Sequence, residues 1–212
     1  YMFLGELITN LELEPDQPVD YDCGDCNRCI EACPTSCLLG DSTMDARRCL
    51  SFQTQDKGMM DLEFRKKIKT VIYGCDICQI CCPYNKDIDS PPVVDIDPDL
   101  AQPELLPFLG LSNGQFKEKF GLIAGSWRGK NILQRNAIIA LANAHDRSAI
   151  PKLLEIIDKG QNPIHAATAI WALGELVKEP SEEMVAFIEN LQSDHPDVLA
   201  EQAAFVKLAK GL

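Results

Sequence analysis

The chain has 212 residues, 46% apolar and 25% charged, an ordinary globular composition able to bury a core as one or two domains. No stretch approaches the roughly 20 apolar residues a membrane-spanning helix needs, and a formal net charge of −12 speaks against a generic nucleic-acid binder. The charge is uneven, however: residues 115–152 hold Lys117, Lys119, Arg128, Lys130, Arg135, Arg147 and Lys152 against only Glu118 and Asp146, a net +5 that leaves −17 elsewhere.

Residues 1–20 open on an apolar stretch from Tyr1 to Leu13 with neither a basic start nor a long apolar run, so they do not read as a signal peptide. They read as the end of a missing N-terminal domain, closing in the Pro-broken Glu14-Pro15-Asp16-Gln17-Pro18. On that reading the chain is the C-terminal part of a longer protein.

Residues 21–90 hold all 10 cysteines. Cys23-Gly24-Asp25-Cys26-Asn27-Arg28-Cys29-Ile30-Glu31-Ala32-Cys33-Pro34 matches C-x2-C-x2-C-x3-C-P, the bacterial ferredoxin run whose fourth cysteine serves the other cluster. The second motif, Cys75-Asp76-Ile77-Cys78-Gln79-Ile80-Cys81-Cys82-Pro83, is irregular. Anchored on its Cys-Pro pair, it supplies Cys82, Cys78 and Cys75, but the next position back is Ile72, which cannot bind iron. Cys49 is the best replacement. Two 4Fe-4S clusters are therefore expected, one on Cys23, Cys26, Cys29 and Cys82, the other on Cys33, Cys49, Cys75 and Cys78. Cys37 and Cys81 remain as small buried side chains, with Cys81 in place of Cys82 as the open alternative. Structural zinc competes, since C-x2-C pairs are its usual ligands, but it favours separated pairs. Disulfides fit poorly with cysteines crowded two residues apart and no secretory signal. Two adjacent one-electron carriers form a short wire, and such clusters favour a reducing compartment, so a cytoplasmic location is expected.

Residues 91–114, with Pro91, Pro92, Pro98, Pro103 and Pro107, read as an extended linker with one short helix near Leu105. Residues 115–212 read as paired amphipathic helices. A shift of 32 residues aligns Ala140-Leu141 with Ala172-Leu173, Leu153 with Val185 and Ile156 with Ile188, and a further 32 brings Leu173 to Phe205. A period near 30 with two helices per unit suggests a short HEAT-like array. Ser181 before Glu182 and Glu183 is a helix cap with an acidic first turn. His145, His165 and His195 lack partners at ligand spacing, and Trp127 and Trp171 read as packing residues. The expected fold is α+β but mostly α, a ferredoxin-like two-cluster domain followed by a HEAT-like helical repeat.

Residues 23–35, Asp45-Ala46-Arg47-Arg48-Cys49-Leu50-Ser51-Phe52 and Tyr73-Gly74-Cys75-Asp76-Ile77-Cys78-Gln79-Ile80-Cys81-Cys82-Pro83-Tyr84-Asn85-Lys86 together resemble epoxyqueuosine reductase, as does the helical tail from Arg135-Asn136-Ala137. Departures are small: Tyr84 stands where Trp is frequent, and Cys37 and Cys81 replace small or apolar residues. The resemblance implies an oxidoreductase that reduces the epoxide of epoxyqueuosine in a tRNA anticodon loop, using cobalamin fed with electrons by the clusters. It places the cobalamin domain and the proton-donating carboxylate before the cluster motifs, so no catalytic acid is assigned to this chain. By position, Ser51 and Asp76 are candidate cobalamin contacts and Lys57 lies near the tRNA. Arg128, Lys130 and Arg135, with Lys117, Lys119 and Arg147, are candidate phosphate contacts, which supply affinity and salt dependence rather than sequence reading. A monomer taking electrons from an external donor is expected. The other readings are a related reductive dehalogenase and a ferredoxin-type electron-transfer module that docks on a protein through its repeat.

Overall fold

The computed structural model describes residues 5–18, 22–88 and 97–211. Tyr1, Pro91 and Pro92, which figure in the expectations above, lie outside them. In chain order the helices are α1 (Arg28–Ala32), α2 (Leu50–Gln53), α3 (Leu62–Arg65), α4 (Ile77–Ile80), α5 (Pro98–Ala101), α6 (Leu105–Leu109), α7 (Asn113–Phe120), α8 (Lys130–Asn143), α9 (Ile150–Lys159), α10 (Pro163–Leu176), α11 (Glu182–Glu189) and α12 (Pro196–Ala209). The β contribution among the described residues is one antiparallel bridge between Leu38 and Met44.

The five longer C-terminal helices follow the expected repeat: α8 with α9, α10 with α11, and α12 as an unpaired half. Local chemistry sets their ends. Ser181 Oγ accepts the Met184 N–H at 3.2 Å, and the Asn162 side chain accepts the N–H groups of Ile164 and His165 ahead of α10. Helix α7 carries a full capping box between Ser112 and Gln115. α9 has one apolar face, burying Leu153 and Ile157. α10 is apolar nearly all round, and it packs on α8, α9 and α12 at once. Its small Ala166, Ala167, Ala169 and Ala172 let those neighbours approach closely, while Ile170 and Leu173 fill the gaps. Each such aliphatic side chain contributes about 1.5–3 kcal/mol on burial.

Residues 97–111 do more than connect. Helix α6 lies against α8, with Phe108 buried edge-on to Phe116 and Phe120 at ring separations of 6.1 and 5.2 Å. Gln134 Nε2 of α8 donates to the carbonyls of Phe108 and Leu109, satisfying the end of that helix.

α8 is the seam of the molecule. Every residue from Leu133 to Ala142 is buried, with the polar Gln134, Arg135 and Asn136 among them. A second tie sits at α3, where Arg65 Nε donates to the Met60 carbonyl and Nη1 pairs with Glu201 of α12 at 2.6 Å. The same guanidinium lies 5.3 Å from the Trp171 ring centre, so Trp171 is a core residue.

Candidate metal centre and its surroundings

Each cysteine motif is a turn, a short helix and a Cys-Pro exit. Gly24, at φ +50°, lets the chain double back after Cys23, where the Cys26 N–H reaches the Cys23 carbonyl at 3.0 Å. Gly74, at φ +75°, makes the corresponding turn before Cys75. Helix α1 then carries Cys29 and α4 carries Cys78. Proline disfavours helical backbone in the residue before it. Cys33 and Cys82 accordingly sit at ψ 113° and 127°, extended, which ends the helical course of the chain at each.

Packing of α1 on α4 places these exits beside the opposite motif. The Tyr84 hydroxyl donates to the Asp22 carbonyl at 3.0 Å, bringing the Cys82 end of the second motif to the Cys23 end of the first. On the other side, Arg48 Nε donates to the Thr35 carbonyl at 3.0 Å and its guanidinium pairs with Glu63, bringing the Cys49 segment to the Cys33 turn.

Several of these thiols feel one another's charge. Burial pushes the Cys75 thiol up, and the charges of Cys49, Asp76 and Cys33 push the same way. Cys78 is likewise raised, first by burial and then by Cys75 and Cys49. Cys75 thus interacts with Cys49 and Cys33, and Cys78 with Cys75 and Cys49. At Cys33, burial is outweighed by hydrogen bonds from Thr35 and Cys37, which leave it at about 7. Thiols so gathered resist joint ionisation unless a bound cation compensates them. All 10 cysteines are free of disulfides.

Cys37 and Cys81 take separate places. Cys37 is buried, its Sγ 3.4 Å from that of Cys33, and its thiol is pushed up to about 12 by burial and then by Cys33 and Cys49. Cys81 is half-buried and donates its thiol to the Cys78 carbonyl at 3.3 Å, back onto its own helix.

Ser51 and Asp76 flank Cys49 and Cys75. Ser51 Oγ and its carbonyl accept from Gln55 Nε2, while Asp76 is exposed and accepts from Gln79 Nε2. Among the basic residues, Lys57, Lys117 and Arg147 are exposed. Lys119 pairs with Asp99 at 3.7 Å, and half-buried Lys130 donates to the Leu111 carbonyl at 2.9 Å.

Arg135 corrects the sequence reading. It is 1% exposed, and its guanidinium is taken up by the carbonyls of Gln53, Asp56 and Gly58 and by Asn136 Oδ1. It cannot reach a phosphate, because its donors satisfy a buried turn. Trp127 corrects it the other way: it is 61% exposed, and the Arg128 guanidinium lies 4.0 Å from its ring centre. The indole N–H donates to Gln55 Oε1 at 3.0 Å. Its 3-10 turn, Ala124–Arg128, packs Gly125 so closely on Tyr73 that a Cβ there would stand 3.1 Å from the ring. Its nearness to the cysteine segments has no signal in local sequence. His165 Nε2 meets the Asn131 carbonyl, its pKa lowered by burial, and the His195 side chain caps α12.

A family model described as a 4Fe-4S double cluster binding domain matches residues 22–85, and one described as HEAT repeats matches residues 129–206. Epoxyqueuosine reductase of Lactococcus garvieae is 59% identical over 178 residues, covering 83% of this chain and 51% of that protein. The structure of epoxyqueuosine reductase from Streptococcus thermophilus superposes with a TM-score of 0.90 at 71% identity, over 96% of this chain and 54% of that one. A crystal structure of epoxyqueuosine reductase with an epoxyqueuosine-modified tRNA-Tyr stem loop superposes at 0.86 and 42% identity, over 93% and 53%. The chain thus spans about half the length of these relatives. A two-cluster 4Fe-4S domain fused to HEAT repeats, with relatives this similar, makes the chain a member of the epoxyqueuosine reductase family.

Proposed function

We propose that the chain is the iron–sulfur and helical-repeat portion of an epoxyqueuosine reductase, relaying electrons through two 4Fe-4S clusters to cobalamin for reduction of epoxyqueuosine in tRNA to queuosine. When bound, the clusters supply single electrons and cobalamin the reducing centre that meets the epoxide. The observation that carries the reading is the approach of the Cys33, Cys49 and Cys75–Cys78 segments to one another, through α1 on α4, Arg48 on the Thr35 carbonyl and the Gly74 N–H on Thr54 Oγ1. Cys33, Cys49, Cys75 and Cys78 would hold one cluster, and Cys23, Cys26, Cys29 and Cys82 the other. Cys37 is buried against Cys33 and is left out of both sets, and the Cys81 thiol faces its own helix, which favours Cys82 as the ligand.

Ser51 and Asp76, beside the Cys49–Cys75 rim, are the proposed cobalamin contacts. The rest of the cobalamin pocket and the catalytic acid belong to the half of the relatives that this chain does not span. For the tRNA, Lys57, Lys117, Arg128 and Arg147 remain the proposed cations. Trp127, backed by Arg128, offers an exposed ring suited to stacking on an unpaired base. A monomer in the cytoplasm drawing on an external donor completes the proposal. No helix among the described residues is long and apolar enough to cross a membrane.

The test is iron, sulfide and cobalt analysis of the anaerobically purified full-length protein, with Cys49→Ser beside it. About eight irons and one cobalt per chain are expected for the wild type, falling to about four irons in the variant. A wild type with four irons or with zinc, or a variant keeping both clusters fully reducible, would overturn the ligand assignment.

A further inference from the structure

Cys49 is the unusual ligand of the proposed set. It belongs to neither motif, and 25 residues separate it from Cys75. Local spacing cannot hold those two thiols in register. The structure supplies the register from the helical repeat.

Asn136 of α8, fully buried, donates from Nδ2 to the Thr54 carbonyl at 2.7 Å and to the Ile72 carbonyl at 2.8 Å. Thr54 lies five residues after Cys49, and Ile72 three before Cys75. Thr54 closes the same gap from the other side. Its hydroxyl donates to the Ser51 carbonyl at 2.9 Å and accepts the Gly74 N–H at 3.0 Å. The Thr54 N–H bonds the Leu50 carbonyl and the Gln53 N–H that of Cys49, so the hold passes directly to the cysteine. Arg135 completes the arrangement. Its Nε and Nη2 bond Asn136 Oδ1 at 3.0 and 2.9 Å, fixing the amide's orientation, while its remaining donors grip the turn at residues 53–58.

Every donor and acceptor of the Asn136 amide is thereby used, two on Arg135 and one on each cysteine-bearing segment. A helix core would be served as well by an apolar residue, since burying an amide costs free energy unless it is fully bonded. What an apolar residue cannot do is bond two segments at once. We infer that Asn136, oriented by Arg135, is a positioning residue that sets the Cys49–Cys75 separation, so that the second quartet is complete only with α8 docked. The inference rests on the two-cluster reading above.

The test uses the full-length protein, purified and reduced anaerobically, with iron per chain and the EPR spectrum of the reduced clusters as readouts. Asn136→Asp keeps the shape and the bond to Arg135 but turns an oxygen toward two carbonyls. Thr54→Val removes the hydroxyl bridge isosterically and serves if the first variant folds poorly. Ile188→Ala, a fully buried position in α11, which packs on α12, is the stability control. Both Asn136→Asp and Thr54→Val are expected to lower iron from about eight toward four, or to change the signal of one cluster alone. Ile188→Ala is expected to lower the melting temperature and leave both signals intact. Wild-type iron and spectra in both variants, or equal cluster loss in the control, would overturn the positioning role. Cys49→Ser separates the two claims. If it removes one signal while Asn136→Asp and Thr54→Val change nothing, only the positioning role falls. If it leaves both signals intact, the ligand reading itself falls.

Discussion

Removing Glu201 strands a cation. Arg65 is 5% exposed, and Glu201, 136 residues away, is its ionic partner at 2.6 Å. Deleting one member of a buried pair costs about 3–5 kcal/mol, because the survivor keeps its desolvation penalty without compensation. Two features place Glu201→Ala at the low end. The Glu201 side chain is 16% exposed, so water can partly replace it, and Arg65 keeps the Met60 carbonyl and the Trp171 face. About 2–3 kcal/mol remains, and for a chain of this size that is roughly 5–10 °C in Tm. Differential scanning fluorimetry at low and high salt is the assay. Because buried pairs are poorly screened, 1 M salt should not close the gap. Arg65→Met combined with Glu201→Leu should recover most of the loss, since an apolar pair of similar volume carries no stranded charge. A Tm shift below about 1 °C in Glu201→Ala, or a double variant no better than the single one, would refute the reasoning.

Two further outcomes test the electrostatics. Glu155 bonds Lys159 and Lys152, which hold its carboxyl down at about 2. Its depressed value means that its stabilisation is present above the unfolded-state value near 4.5 and is lost as pH falls toward about 2. An NMR titration should place the midpoint well below the usual carboxylate range, moving up in high salt, and a midpoint near 4.5 would contradict the ion pairs. On the RNA side, Lys57→Ala should reduce the salt slope of stem-loop binding by about one, and Trp127→Ala should cost about 1–3 kcal/mol. Fluorescence anisotropy of the full-length protein across a salt series measures both. Lys119→Ala, already paired with Asp99, should change the slope little, and equal effects from all three would remove the proposed face.

The two-cluster domain was legible in the sequence because ligand chemistry is written in residue identity at short spacing, and Cys-Pro fixes the local backbone direction. The proposal of Cys49 rests on the gap at Ile72, an inference from what that motif lacks. The repeat was legible from a shift of 32 residues, and Ala140, Ala172 and Phe205 all fall in the core. The basic residues were not. Charge in a sequence says nothing about burial, and Arg135 finds its partners in the turn at residues 53–58, nearly eighty residues earlier. Asn136 was passed over in the same way, named only as part of the helical tail from Arg135-Asn136-Ala137. A polar residue at a core-facing helix position was the available signal. Trp127 was misjudged because Gln55, which accepts its indole N–H, and Tyr73, on which Gly125 of the same turn packs, are distant in sequence.

The extended backbone at Cys33 and Cys82 bears on how the unit could be moved to another scaffold. A graft of residues 22–34 would carry Cys23, Cys26 and Cys29 but leave behind Cys82, the fourth ligand proposed for their cluster. Residues 74–85 alone would fail for the same reason. The smallest transplantable piece includes both motifs and the intervening Cys49 segment, with α8 as the clasp across its back.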